Sequence, residues 1–111
     1  AQVKVTITME RVYQKPPTLG AKAPEGATII FDGKNLDGFT KLGGGPCKWR
    51  LLDTGAMQAA PGGGNIVSKE TFLDHQLHVE FRTPYMPGMR GQARGNSGVY
   101  VGGNFEVQVL D

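Results

Sequence analysis

The chain has 111 residues, which suits one small domain with a single hydrophobic core. Its 12 Lys and Arg against 10 Asp and Glu leave a net charge of +2, too small for the strong field that nucleic-acid binding uses. A single cysteine, Cys47, excludes an internal disulfide and a zinc cluster of several thiolates. No apolar run reaches the roughly 20 residues that a membrane-spanning helix needs.

The first 25 residues differ in pattern from the remainder. Apolar residues alternate with Lys and Thr over residues 3–9, which predicts a strand with one buried face. Residues 14–26 hold three prolines and two glycines, so no helix or central strand can run through them. Residues 1–25 are therefore predicted to be an N-terminal strand and an arm rich in Pro and Gly.

Short strands and glycine-rich turns are predicted over the middle of the chain. Residues 28–31 are a β-prone run, and residues 49–52 and 56–59 are predicted to pair as a hairpin. Residues 65–68 form another short strand, and residues 68–74 are the only plausible helical turn.

The last third has the clearest patterns. Residues 76–82 alternate apolar and polar side chains, and a glycine-rich loop of 13 residues follows at residues 84–96. Residues 99–101 and 105–111 are predicted to form a hairpin around a turn at residues 102–104. Seven or eight short strands with almost no helix are typical of an all-β sandwich or barrel.

The final predicted strand runs to Asp111, the last residue. A strand edge with unpaired backbone groups is a liability. We therefore expect further strands to complete this sheet, supplied by a following segment or by a second polypeptide.

Polar rows on two predicted strands are the candidates for chemistry. His78, Glu80 and Arg82 share one face of their strand, and Glu106 and Gln108 share a face of theirs. Most such rows are solvated outer faces, but these mix charge types and flank a long loop, which favours a functional groove. Glu80 and Arg82 form either a weak surface ion pair or a carboxylate held by a guanidinium.

Arg90 and Arg94, each followed by glycine, are similar to the Arg-Gly repeats of RNA-binding tails. No aromatic residue for base stacking is interleaved with them, which argues against that interpretation.

Four segments, in order along the chain, resemble the 3-keto-disaccharide hydrolase domain family. They are residues 30–39 (IFDGKNLDGF), 77–82 (LHVEFR), 95–100 (GNSGVY) and 105–111 (FEVQVLD). The resemblance covers roughly residues 26–111 and implies a concanavalin A-like jelly-roll sandwich, incomplete in this chain, which would hold its first half. It also implies a periplasmic or secreted protein, and the sequence Ala1-Gln2-Val3 would suit the end left by signal-peptide cleavage.

The resemblance further implies cleavage of glycosides whose sugar carries a ketone at C3. That ketone acidifies the hydrogen on C2, so a base can remove it, the group on C1 leaves, and water adds to the enone. Such chemistry needs a carboxylate or imidazole base and a donor for the enolate oxygen. This part of the domain alone is expected to be inactive.

The resemblance assigns roles to particular residues. Glu106 is the base or a sugar-orienting carboxylate, Glu80 and Arg82 are a binding and electrostatic pair, and Asn96 and Gln108 donate hydrogen bonds to hydroxyls. The candidates are, for catalysis, Glu106, Glu80 and Arg82, and, for substrate binding, Asn96, Gln108, Tyr100, Asp111 and His78.

Asp111 either joins the substrate-binding residues or binds a divalent cation; no other cofactor is expected. The alternative function is a non-catalytic carbohydrate-binding or interaction module, since the same jelly roll serves lectins. Such a module would use exposed aromatic residues and a calcium site, and the chain has only three Tyr and one Trp, which favours the enzyme. A structural subunit that pairs through an open strand edge is a third alternative.

Overall fold

The structure is a computed structural model that describes residues 1–111. It contains six short strands, one three-residue 3-10 turn and no α-helix. The strands form three antiparallel two-stranded sheets, which confirms the all-β prediction and is consistent with part of a jelly roll. The chain divides into two compact units, Ala1–His75 and Gln76–Asp111.

The first unit holds four strands in two sheets. β1 (Phe39–Lys41) pairs with β4 (Ile66–Ser68), and β2 (Arg50–Leu51) pairs with β3 (Met57–Gln58). The β2–β3 hairpin confirms the hairpin predicted at residues 49–52 and 56–59, and β4 confirms the strand predicted at residues 65–68. Both were predictable because turn residues next to them in the sequence determine where they begin and end. β1 was not expected from the sequence.

Trp49 anchors a loop of the first unit. Its indole Nε1 donates a 2.8 Å hydrogen bond to the carbonyl oxygen of Gly64. The neighbouring Gly63 is buried, and a Cβ at this position would lie 3.2 Å from Trp49 Cδ1 and 2.9 Å from the Ala60 carbonyl oxygen. The loop can therefore approach the indole this closely only because residue 63 has no side chain.

The second unit is built on one hairpin. β5 (Asn96–Val101) and β6 (Phe105–Leu110) pair over six residues each around a turn at residues 102–104. The hairpin was predicted, but β5 begins three residues before the predicted strand at 99–101 and β6 ends at Leu110. The 3-10 turn, η1 (Gly91–Ala93), lies within the predicted long loop. One face of the hairpin is mostly apolar, and its Val109, 8% exposed, is the one buried hydrophobic residue.

Three segments with strand-like patterns carry no strand in this structure, namely residues 3–9, 28–31 and 76–82. Strand structure requires a neighbouring strand for backbone hydrogen bonds, and none pairs with these segments. Residues 68–74 also form no helical turn. The alternation of apolar and polar residues therefore predicted more paired strands than the structure contains.

Much apolar surface stays exposed. The accessible surface is 10099 Å², whereas a folded monomeric protein of this size exposes about 6,000 Å². Val5 is 74% exposed, Val79 46% and Phe105 76%. These alternating rows therefore have no cover within the chain.

We expect the substitution Gly63→Ala to destabilise the first unit by about 1–3 kcal/mol, because the added methyl group would press on Trp49 and on a backbone carbonyl. Urea unfolding followed by the fluorescence of Trp49, the only tryptophan, measures this effect. Gly88→Ala is the control, since nothing lies within 4 Å of a Cβ there. Equal urea midpoints for the two variants would contradict the close approach seen at Gly63.

Candidate functional site

The register of the β5–β6 hairpin gathers four predicted site residues on one face. Tyr100 lies opposite Glu106, and Gly98 lies opposite Gln108. Because side chains alternate between the two faces of a strand, Asn96 shares the face of these residues. We call Asn96, Tyr100, Glu106 and Gln108 the polar face.

Glu106 lies across the neighbouring strand at Gly98. A Cβ on Gly98 would stand 2.7 Å from Glu106 Cγ and Cδ and would overlap its Oε1. The space that a side chain would fill is thus occupied by the Glu106 carboxylate. Gly98 therefore provides the space in which the Glu106 side chain lies.

Tyr100 lies directly opposite Glu106 in the register of the hairpin. Hydrogen bonding to the Glu106 carboxylate, and then its negative charge, raise the pKa of Tyr100 above its ordinary value of 10.0. The hydroxyl of Tyr100 is therefore protonated at neutral pH and well above it, and it is available as a hydrogen-bond donor to the carboxylate. The pair places a held carboxylate beside a phenol that can donate a hydrogen bond.

Two amide side chains of the polar face are joined to a third. Gln108 Nε2 donates to Asn96 Oδ1 at 2.6 Å and to the Ser97 carbonyl oxygen at 3.0 Å. Asn96 Nδ2 donates to the side-chain and backbone oxygens of Gln92, at 2.8 and 3.2 Å. Both NH2 groups are thus engaged within the chain, and Gln108 Oε1 accepts none of these bonds. That Asn96 and Gln108 donate to sugar hydroxyls stays a prediction.

Asp111 binds an arginine that the sequence analysis did not place in the site. Its Oδ2 lies 3.0 Å from Arg94 Nε and 2.5 Å from Arg94 Nη2, and each side chain is about one-third exposed. The backbone N–H of Asp111 donates to the Gly95 carbonyl oxygen at 2.9 Å. These contacts close the end of the hairpin away from its turn. No sequence signal links two residues 17 positions apart.

The remaining candidates lie before the long loop. His78 Nε2 is 3.2 Å from Glu80 Oε1, and both side chains are substantially exposed. Arg82 follows, also exposed. No strand pairing joins this segment to the β5–β6 hairpin.

The structure gathers no group of three His, Cys, Asp or Glu side chains that could hold a metal ion. Two open cavities lie in the first unit, of about 300 and 480 Å³. Asp32 lines the smaller one; a hydrogen bond from Lys34, 3.0 Å away, lowers the pKa of its carboxyl. Neither cavity includes a predicted site residue.

The family model of the 3-keto-alpha-glucoside-1,2-lyase-like domain matches residues 26–111. The chain belongs to this family. The match confirms the resemblance seen in the sequence motifs, and the domain is carbohydrate-active. No curated protein and no solved structure matches the chain.

No helix of the structure is long and apolar enough to cross a membrane.

Replacing Glu106 by Gln should lower the pKa of Tyr100 toward 10.0, because hydrogen bonding to a carboxylate and its negative charge, which both disfavour the tyrosinate, are removed. The NMR signal of the Tyr100 ring carbon that bears oxygen, followed against pH, measures this change. Tyr13 and Tyr85 serve as internal controls. A raised folded-state pKa stabilises the fold below about pH 10, and this contribution is lost as pH rises through the raised pKa. An unchanged titration of Tyr100 would refute the pairing.

Gly98→Ala should have a similar effect on Tyr100 for a different reason. The added methyl group would displace the Glu106 side chain and weaken its hydrogen bond, so the pKa of Tyr100 should again fall. Ser97→Ala is the matched control, because Ser97 points to the opposite face of β5. If Gly98→Ala left the pKa of Tyr100 raised, Glu106 would not depend on the space at Gly98.

Proposed function

We propose that the domain cleaves glycosides whose sugar carries a ketone at C3, by elimination followed by hydration, with Glu106 as the base. The observation that carries the proposal is the Glu106 carboxylate, which lies beside Gly98 and Tyr100 on the face that also carries the amides of Asn96 and Gln108. The family description, a 3-keto-alpha-glucoside-1,2-lyase-like domain, supports the same chemistry.

The steps follow from the ketone. Glu106 takes the C2 proton, and the electron pair of the C2–H bond passes into an enolate whose charge rests on the C3 oxygen. The enolate reforms the ketone, a C1–C2 double bond forms, and the bond from C1 to the leaving oxygen breaks. The proton held on Glu106 passes to that oxygen. Water then adds its oxygen to C1 and a proton to C2, which completes hydrolysis.

Other residues have supporting roles in this proposal. The Tyr100 hydroxyl orients Glu106, so that the free carboxylate oxygen is directed toward the sugar. Arg82 carries a permanent positive charge that would stabilise the enolate oxygen. Glu80, bonded to His78, would hold a sugar hydroxyl near that charge.

A non-catalytic carbohydrate-binding module is the second candidate. The polar face is open to solvent, and the Tyr100 ring, 56% exposed, could stack on a sugar as in binding modules. Such a module would bind the ligand and release it unchanged.

The test uses the full protein and p-nitrophenyl 3-keto-α-glucoside, with release of nitrophenol as the readout. Glu106→Gln should lower kcat by about 10²–10⁴-fold, the usual contribution of a general base, with a much smaller change in KM. In D2O the product should carry deuterium at C2. Glu25→Gln, in the arm outside the matched residues, is the control.

Unchanged turnover in Glu106→Gln would remove Glu106 as the base. Product without deuterium at C2 would exclude elimination. Binding without any nitrophenol release, in the unmodified protein, would establish the binding module instead.

A further inference from the structure

We propose that Gln92 is a positioning residue that, through Asn96, fixes the orientation of the Gln108 amide, so that the Gln108 carbonyl oxygen accepts a hydrogen bond from a sugar hydroxyl. The proposal rests on the carbohydrate-cleaving function above and names a determinant of its specificity. The site would then require a free hydroxyl group at one position of the sugar.

The chain of amides starts at Gln92, in the middle of η1. A side-chain amide has one oxygen that accepts and one NH2 group with two N–H donors. Gln92 presents two oxygens, its side-chain Oε1 and its backbone carbonyl, and Asn96 Nδ2 donates to both. This fixes which end of the Asn96 amide faces Gln92, and it leaves Asn96 Oδ1 facing Gln108.

The orientation of Gln108 follows from that of Asn96. Two oxygens, Asn96 Oδ1 and the Ser97 carbonyl, lie at 2.6 and 3.0 Å from Gln108 Nε2. A flipped Gln108 amide would set its own oxygen against both of them and lose two hydrogen bonds. The NH2 group of Gln108 therefore faces Asn96 and Ser97, and its Oε1 is the atom that can accept a hydrogen bond from a ligand.

Gln92 itself is held in place from both sides. Backbone bonds from Ala93 to Arg90 and from Arg94 to Gly91 close the 3-10 turn, at 3.2 and 3.1 Å. Arg94 in turn binds Asp111 at the end of β6. The first amide of the chain is thus tied to the same hairpin that carries the last.

The chemical consequence is a polar face that presents acceptors. The Glu106 carboxylate accepts, and the exposed end of Gln108 accepts. A hydroxyl group can donate to such a face, whereas the same oxygen as a methyl ether or an ester cannot. A sugar that covers this exposed face displaces the water on the Gln108 oxygen, so an analogue without the matching hydroxyl would leave that acceptor unpaired.

The kinetic test compares methyl 3-keto-α-glucoside with its mono-O-methyl ethers at O2, O4 and O6, in the full protein. In the unmodified protein, one ether should have kcat/KM lowered at least about tenfold. Gln92→Glu keeps an acceptor toward Asn96 and should keep this discrimination. Gln92→Lys puts a donor in place of one of the two oxygens that accept from Asn96 Nδ2, should release both amides from their single orientation, and should reduce the discrimination to within about threefold.

Discrimination that persists in Gln92→Lys would overturn the proposal, and so would equal loss in Gln92→Glu and Gln92→Lys. A merely structural role for Gln92 would lower activity on all four sugars alike and leave their ratios unchanged.

A second measurement does not depend on catalysis. Hydrogen exchange of the side-chain NH2 groups, followed by NMR, should be slower for Asn96 and Gln108 than for exposed Gln58, and Gln92→Leu should speed exchange at both. Fast exchange in the unmodified protein would overturn the amide chain whatever the activity. Slow exchange without turnover of any 3-keto-glucoside would instead refute the proposed function and leave the amide orientation standing.

Discussion

The register of the β5–β6 hairpin determines which side chains of the second unit can meet. Pairing Gly98 with Gln108 sets every other pair, because side chains alternate with a period of two. A slip of one residue in either strand would move its polar side chains to the opposite face and expose its valines on this one. The apolar row that includes Val109 and the polar face are therefore two results of one alignment.

Within that alignment, the absence of a side chain matters as much as the presence of one. Glu106 could extend into water from a flat strand pair, where many conformations would be open to it. At Gly98 it finds room to lie across β5 and reach Tyr100. In the proposed reaction, a carboxylate that already lies in one orientation loses less conformational entropy on the way to the transition state. A small residue on one strand thus limits the freedom of a carboxylate on the next.

The sequence predicted what depends on neighbours in the chain. Both hairpins have short turns of Gly, Asp or Asn, and alternation identified the faces of Phe105–Leu110 correctly. The pairing of β1 with β4 was not predictable, since Phe39 and Ser68 meet across a long stretch with several turns. The strand predicted at residues 76–82 is absent for the opposite reason. The local pattern is that of a strand, but no second strand pairs with this segment.

The same distinction explains the site. Alternation predicted that Glu106 and Gln108 share one face of their strand, and the structure has them on one face, because this signal is local. The contacts of Arg94 and Gln92 were not predictable from sequence, because Arg94 meets Asp111 across 17 positions and Gln92 meets Asn96 from an irregular loop.

The 3-10 turn at Gly91–Ala93 orients the polar face through Gln92, although none of the four residues of the face belongs to this turn. Glu106 and Gln108 are exposed to solvent. A hydrogen bond from a ligand to such a group replaces one with water, so its net contribution to the free energy of binding is small. Gln108 has its NH2 group bonded twice, so its free oxygen needs little further ordering when a ligand arrives. In the proposed function, this open face is selective because its acceptors are fixed before a sugar binds. In the proposed reaction, Glu106 also needs little further ordering when the sugar binds, because its neighbour Tyr100 stays protonated through the neutral range.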